Sequence, residues 1–291
     1  ATSAIAFILV SFTSSITSNK ISQTNADKFG NNLTPLGAEM AGNTDGSIPA
    51  WDPITNPPAG YKLGDHHPDP FLGDEVLFTI DIENLDIYRS FLSEGQQKMF
   101  DVYPDSFKMN VYQSRRTASY PDYIYEATKK YAFTAELVEG GNGVKGSAIG
   151  FPFPFPNNGL EVIWNHMLRF RGVNVSRWIC QAAPMTDGSY TIIGFDDKFF
   201  PKYSMKDATP EALSIENILF KYKQKINTPA RLAGTAFLVH EPMDQIKTTR
   251  QAWTYNTGQR RVRRAPNVAN DSPGTESESL RTADEFDMYN G

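Results

Sequence analysis

After Gly172 the chain repeats one pattern: apolar and polar residues take turns, broken at short intervals by turn residues. Side chains alternate across a strand, so this pattern commits the segment to half-buried antiparallel strands. Val175–Ala183 and Tyr190–Asp196 are expected to pair across Thr186-Asp187-Gly188. Ile215–Asn227 puts Phe220, Tyr222 and Ile226 on one face and Lys221, Lys223 and Lys225 on the other. Arg231–Glu241 is apolar on both faces, so both are expected to be covered. A last hairpin, Gln251–Asn256 and Gln259–Arg264, flanks Asn256-Thr257-Gly258, with positive φ expected at the glycine. Consecutive antiparallel strands of this kind give a curved sheet or a partial barrel.

The closing hairpin joins aromatic to basic residues. Trp253 and Tyr255 share one face; Arg260, Val262 and Arg264 share a face of the returning strand, and Arg261 and Arg263 the other. A covered arginine needs a carboxylate or an anionic ligand, because unpaired buried charge is very costly. Asp284, Glu285 and Asp287 follow soon after and are the candidate partners. Three readings of the cluster stand side by side: structural ion pairs with that acidic segment, docking of an anionic head group or a partner, and nucleic-acid binding. The net charge of −5 and pI of about 5.5 oppose the last.

Upstream, periodicity switches to helical. Gly159–Arg171 places Leu160, Ile163, Trp164, Met167 and Leu168 on one stripe, with Asn158 as cap and Gly172 as stop. Shorter helices are expected at Ile21–Gly30 (capped by Ser22), Asn84–Leu92, Glu94–Tyr103 (capped by Ser93) and Asp122–Tyr131. Phe78–Ile82 and Phe107–Tyr112 read as strands, and Phe133–Glu139 with Val144–Ile149 as a hairpin. Residues 31–73 are rich in proline and glycine; an ordered wrap pinned by Trp51 and Tyr61 accommodates their aromatic rings. Phe151–Pro156 (FPFPFP) cannot sit in a central strand, since proline lacks the donor. It is either a core-covering ribbon or the lip of a ligand cavity.

At the N-terminus, Ala4–Phe12 is a short apolar run followed by small polar residues, the pattern of a signal sequence spanning residues 1–18. The run is too short to cross a bilayer. Residues 19–291 are read as a single domain, truncated at its C-terminus, that is soluble in the periplasm after cleavage. The one cysteine, Cys180, permits no internal disulfide and is expected as a small buried hydrophobe.

Chemistry-bearing motifs are sparse. Asp65-His66-His67 with Asp69 sits in a loop without a scaffold for metal geometry. His166 is expected on a helix surface, and His240 and Glu241 point to opposite faces of a strand. No nucleophile elbow, zincin motif or phosphate-cradling loop occurs. An enzyme is therefore not expected, nor is any cofactor or metal.

Four stretches resemble one proteobacterial periplasmic family, the outer-membrane lipoprotein-sorting-like proteins: Leu33–Trp51, Gly141–Gly146, Asn157–Gly172, and Gln251–Pro266 running on through Leu280–Gly291. The resemblance implies an α+β fold: a strongly curved antiparallel sheet, an unclosed Lol-like half-barrel, wrapped over a few helices and long loops around an apolar cavity. It also implies partnership with an RND-type exporter and an outer-membrane protein, and association with the outer membrane. The expected function is a carrier for a hydrophobic or lipid-like molecule. The expected lining is Phe151, Phe153, Phe155, Trp164, Met167, Trp178, Phe220, Tyr222, Phe237, Trp253 and Tyr255, with Arg260, Arg261, Arg263 and Arg264 orienting a head group or a partner. The alternative is an adaptor or structural subunit of an export complex, with a filled core.

Overall fold

The computed structural model describes residues 21–265 and 268–286. The expected signal segment, residues 1–18, and Asp287 lie outside the described residues. The chain packs as two compact units, residues 39–120 and residues 21–38 with 121–286.

The larger unit opens with α1 (Gln23–Ala26), where the Ser22 hydroxyl accepts from the Asn25 amide as expected of its cap. The smaller unit follows. Its β1 (Phe78–Ile80), α2 (Leu85–Tyr88), α3 (Glu94–Val102) and β2 (Met109–Val111) enclose Ile80, Leu85 and Phe100, and β1 pairs antiparallel with β2. Ser93 and Gln96 form a reciprocal capping box at α3. The proline-rich wrap is tied down as expected by Trp51, whose indole N–H donates to the Ala118 carbonyl at 2.9 Å. A second tie is Arg116, which donates to the carbonyls of Ala41, Pro49 and Glu39. Tyr61, the other expected pin, is half-buried, and its ring meets His67 edge-on at 5.8 Å.

Back in the larger unit, α4 (Asp122–Tyr131) buries Ile124, Ala127, Thr128 and Tyr131. The short pair β3 (Glu136–Leu137) and β4 (Val144–Lys145) follows. The FPFPFP segment then covers core. Thr128 Oγ1 accepts the Phe151 amide at 3.0 Å, and the Asn165 amide group bonds both the N–H and the carbonyl of Phe153. Gly150 lies so close to α4 that a Cβ there would stand 2.4 Å from the Thr128 nitrogen. The helix carrying Asn165, α5 (Gly159–Met167), is capped by Asn158 as expected. It buries Trp164, Met167 and Leu168 but leaves Leu160 and Ile163 exposed. Only part of the predicted stripe is covered, and Glu161 is buried beside it, where it accepts from the Asn157 amide at 2.6 Å.

The rest is one antiparallel meander. β5 (Val175–Pro184) and β6 (Tyr190–Pro201) pair across the expected turn, with Gly188 at positive φ. A helix absent from the sequence reading, α6 (Pro210–Glu216), takes up Ile215, because Thr209 caps it and Pro210 starts it. β7 (Phe220–Thr228), β8 (Ala236–Glu241), β9 (Gln251–Asn256) and β10 (Arg261–Arg264) complete a six-stranded sheet of order β10-β9-β8-β7-β6-β5. Among the described residues the sheet is open, with β5 and β10 as its edges. The fold is therefore α+β, built on an unclosed antiparallel sheet. At the last turn positive φ falls on Arg260 and not on the glycine; the Asn256 carboxamide and carbonyl accept the Gln259 and Arg260 amides instead. Among the described residues no helix is long and apolar enough to cross a membrane.

Candidate functional site

Register assigns every strand residue to a face. Arg177, Asp197, Gln224, Phe237, Thr254 and Arg263 stand in one row across the sheet, and Val175, Phe199, Tyr222, Val239 and Ala252 in the next. These rows face inward. Beyond them Ile193, Phe195 and Ile226 form a buried cluster with Ile179 and Leu232.

Between these rows and the C-terminal segment lies a cavity of about 580 Å³. Its apolar part is Val175, Phe199, Phe220, Ile226 and Phe237. Its basic part is Arg169, Arg171, Arg177 and Arg281, against the carboxylates of Glu276 and Glu285. The Arg171 guanidinium lies 4.6 Å over the Phe199 ring, so part of the basic edge is stacked on the apolar floor. Pockets of 300–1,000 Å³ with a few placed polar groups are the usual size for small-molecule sites.

The roof is residues 268–285. It is folded on itself by the Gly274 amide to the Arg281 carbonyl and the Ala283 amide to the Ser272 carbonyl. A single polar knot fastens it to β5. Gln181 donates to the carbonyls of Thr275 and Glu276, and its carbonyl oxygen accepts from Arg281 at 2.8 and 3.1 Å. Glu276, Glu278 and Ser279 all hold positive φ, which concentrates backbone strain in the middle of the roof.

The polar groups on the floor perturb one another. Burial pushes the Asp197 carboxyl above its ordinary value, and the Arg177 guanidinium at 2.7 Å pulls it part of the way back. Burial, then the neighbouring Asp197 carboxylate, raises the Tyr222 phenol. Burial lowers the pKa of Arg281, opposed by Tyr222 and Glu285. Near the cavity's far side, Glu241 and Arg250 form an ion pair with both side chains under 5% exposed, extended by Gln245 and the Val268 carbonyl. Burial raises the Glu241 carboxyl, and Arg250 opposes the shift. The sequence reading looked for a covered arginine in the β10 cluster; among the described residues the buried pair is instead Arg250 with Glu241, at the ends of neighbouring strands, and Arg261–Arg264 are exposed.

Of the expected lining, the structure brings Phe220, Tyr222 and Phe237 to the cavity. Phe153, Trp164 and Met167 are buried in the core around α5 instead, with the Trp164 indole donating to the Gly141 carbonyl. Phe151 is half-buried in the ribbon, and Phe155 packs on Phe29 at 5.5 Å. Trp178, Trp253 and Tyr255 alternate with inward residues and so point outward; Trp178 is 68% exposed. Cys180 shares that outward face and is exposed, not buried. Arg261, Arg263 and Arg264 are exposed on the edge strand, Arg260 sits in the turn, and none lines the cavity. β8 begins only at Ala236, and its outward residues Leu238 and His240 are half-buried where full cover was expected. The expected separation of His240 and Glu241 onto opposite faces holds. Among the described residues no cluster could hold a metal ion, including Asp65-His66-His67.

The basic groups the sequence reading missed are Arg169, Arg171, Arg177 and Arg281. Parity alone could have found Arg177, since it alternates with Val175 and Ile179 on the inward face. Arg281 lies in a loop and carried no periodic signal.

Fold and site thus define an α+β protein with an open six-stranded antiparallel sheet and a mixed apolar and basic cavity on one face. The chain belongs to the family described as protein of unknown function DUF1329, whose model matches residues 79–291. It is similar to the Uncharacterized protein PA3922 of Pseudomonas aeruginosa, with 50% identity over 273 residues. That match covers 93% of this chain and 59% of the relative's length. No solved structure matches the chain.

Proposed function

We propose that this chain is a non-enzymatic periplasmic carrier for an amphiphile with an apolar tail and an anionic head. The observation that carries the reading is the composition of the one cavity face: phenylalanine and isoleucine on the strands, arginine at the rim. Burying a methylene contributes about 0.8 kcal/mol, so a tail lying on Phe199, Phe220, Ile226 and Phe237 is held firmly yet releasably. Guanidinium forks suit a carboxylate or phosphate head. The half-barrel character of the lipoprotein-sorting carriers is part of this proposal, supported by an open meander with its cavity on one face; partnership with an RND-type exporter and an outer-membrane protein is proposed with it on the sequence resemblance alone. The adaptor reading needs a filled interior, and the 580 Å³ of space speaks for the carrier.

The test is native mass spectrometry with a lipid extract of protein purified from its own periplasm, alongside binding of a lipophilic dye. Bound amphiphile, lost in Thr254→Trp, supports the reading. Protein that is always empty and binds no dye overturns it.

A further inference from the structure

The outward face of the sheet carries a charge pattern that the cavity does not explain. Lys198, Lys221, Lys223, Lys225 and Arg264 all project there, and Asp196 is the strands' one carboxylate on that side. Among the described residues none of these five cations is in an ion pair. The chain as a whole carries a net charge of −5, so this face opposes the sign of the molecule it belongs to. Trp178, Trp253 and Tyr255 stand among the cations in the same cross-strand rows: Lys198, Lys223, Leu238, Trp253 and Arg264 in one, and Trp178, Asp196, Lys225, Ala236 and Tyr255 in its neighbour, where Asp196 is the single carboxylate.

We propose that this outward face docks the protein on an anionic lipid bilayer. The cations and rings are spread across the strands and do not ring a concavity, so they suit a continuous negative surface. Tryptophan and tyrosine settle at head-group depth, one end apolar and the other wet. Lysines and arginines near an anionic leaflet each strengthen partitioning by about fivefold, and salt screens the effect. The inference is independent of what the cavity holds.

The experiment is co-sedimentation of the full chain with vesicles of phosphatidylcholine alone or mixed with phosphatidylglycerol, with tryptophan emission as a second readout. Binding only to the mixed vesicles, with a blue shift that Trp178→Phe diminishes, is expected. The double variant Lys223→Glu and Lys225→Glu, both exposed, should fold normally and bind at least tenfold more weakly. Thr254→Trp should lose dye binding and keep vesicle binding, which separates this proposal from the carrier reading. Equal binding to neutral vesicles, no binding to either, or indifference to the double charge reversal overturns the proposal. So does displacement of the protein from vesicles by an oligonucleotide at low stoichiometry, which would assign the face to nucleic acid.

Discussion

The two faces of the sheet share their backbones and differ in every other respect. Inward, the strands' carboxylates are buried and paired: Asp197 with the half-exposed Arg177, Glu241 with the buried Arg250. Outward, ionisable groups are more numerous: Lys198, Lys223, Lys225 and Arg264 are exposed and Lys221 half-buried, none of them in an ion pair among the described residues. On β7 alone, Phe220, Tyr222, Gln224 and Ile226 alternate with Lys221, Lys223 and Lys225. The contrast teaches that charge here has two uses. Inside, each charge is bound to one partner and its removal leaves another stranded; outside, each is replaceable as far as stability goes.

The sharpest way to break this comparison is to delete a charge on each side. Glu241→Ala strands the buried Arg250 and should cost about 3–5 kcal/mol in urea unfolding, whereas Lys225→Ala should stay within about 0.5 kcal/mol. Similar losses for both would mean that the inward pair is not special. Next in size, Thr254→Trp puts bulk into the cavity from β9 and should weaken dye binding by at least tenfold, about 1.4 kcal/mol, with little change in midpoint. An effect of similar size, but local, is expected at the roof. Gln181→Ala removes the knot that holds residues 275, 276 and 281, and should raise hydrogen exchange in that segment by about 1–2 kcal/mol of local opening.

The smallest effect belongs to the outward face. Burial, then Lys221 across the strand pair, lowers the pKa of His240, whose ring also meets Trp253 edge-on at 5.0 Å. The unfolded chain therefore takes up this proton more readily than the folded one. Stability that is present above the ordinary histidine value of about 6.5 should fall as the pH drops through that value toward the folded one. His240→Gln should flatten that slope, and an NMR titration of the imidazole should place its midpoint below the ordinary value.

What was legible in the sequence was periodic. Alternation marked the meander and the face of every β7 residue, and side-chain caps at Ser22, Ser93 and Asn158 marked helix starts. Two kinds of information were not legible. One is parity carried across several strands: Trp178, Trp253 and Tyr255 look like cavity residues by type, and only their register turns them outward. The other is contact between distant loops. Arg281 reaches Gln181 through a segment without period, and Arg116 gathers three carbonyls from far upstream. The Arg260–Arg264 run called for an ion-pair partner or a ligand because arginine lies on both faces, so that covering either would bury charge; β10 is instead exposed on both.

That edge has its own consequence. A bare strand margin is a template on which a second copy can add, the first step toward stacked assemblies. Were two such margins to approach, Arg261, Arg263 and Arg264 would meet their own kind across the gap, and the four-residue length would leave few ladder bonds to compensate. Like charges facing one another across a ladder are unfavourable. Among the described strands, the guanidiniums of β10 thus disfavour growth of the sheet by pairing two such margins.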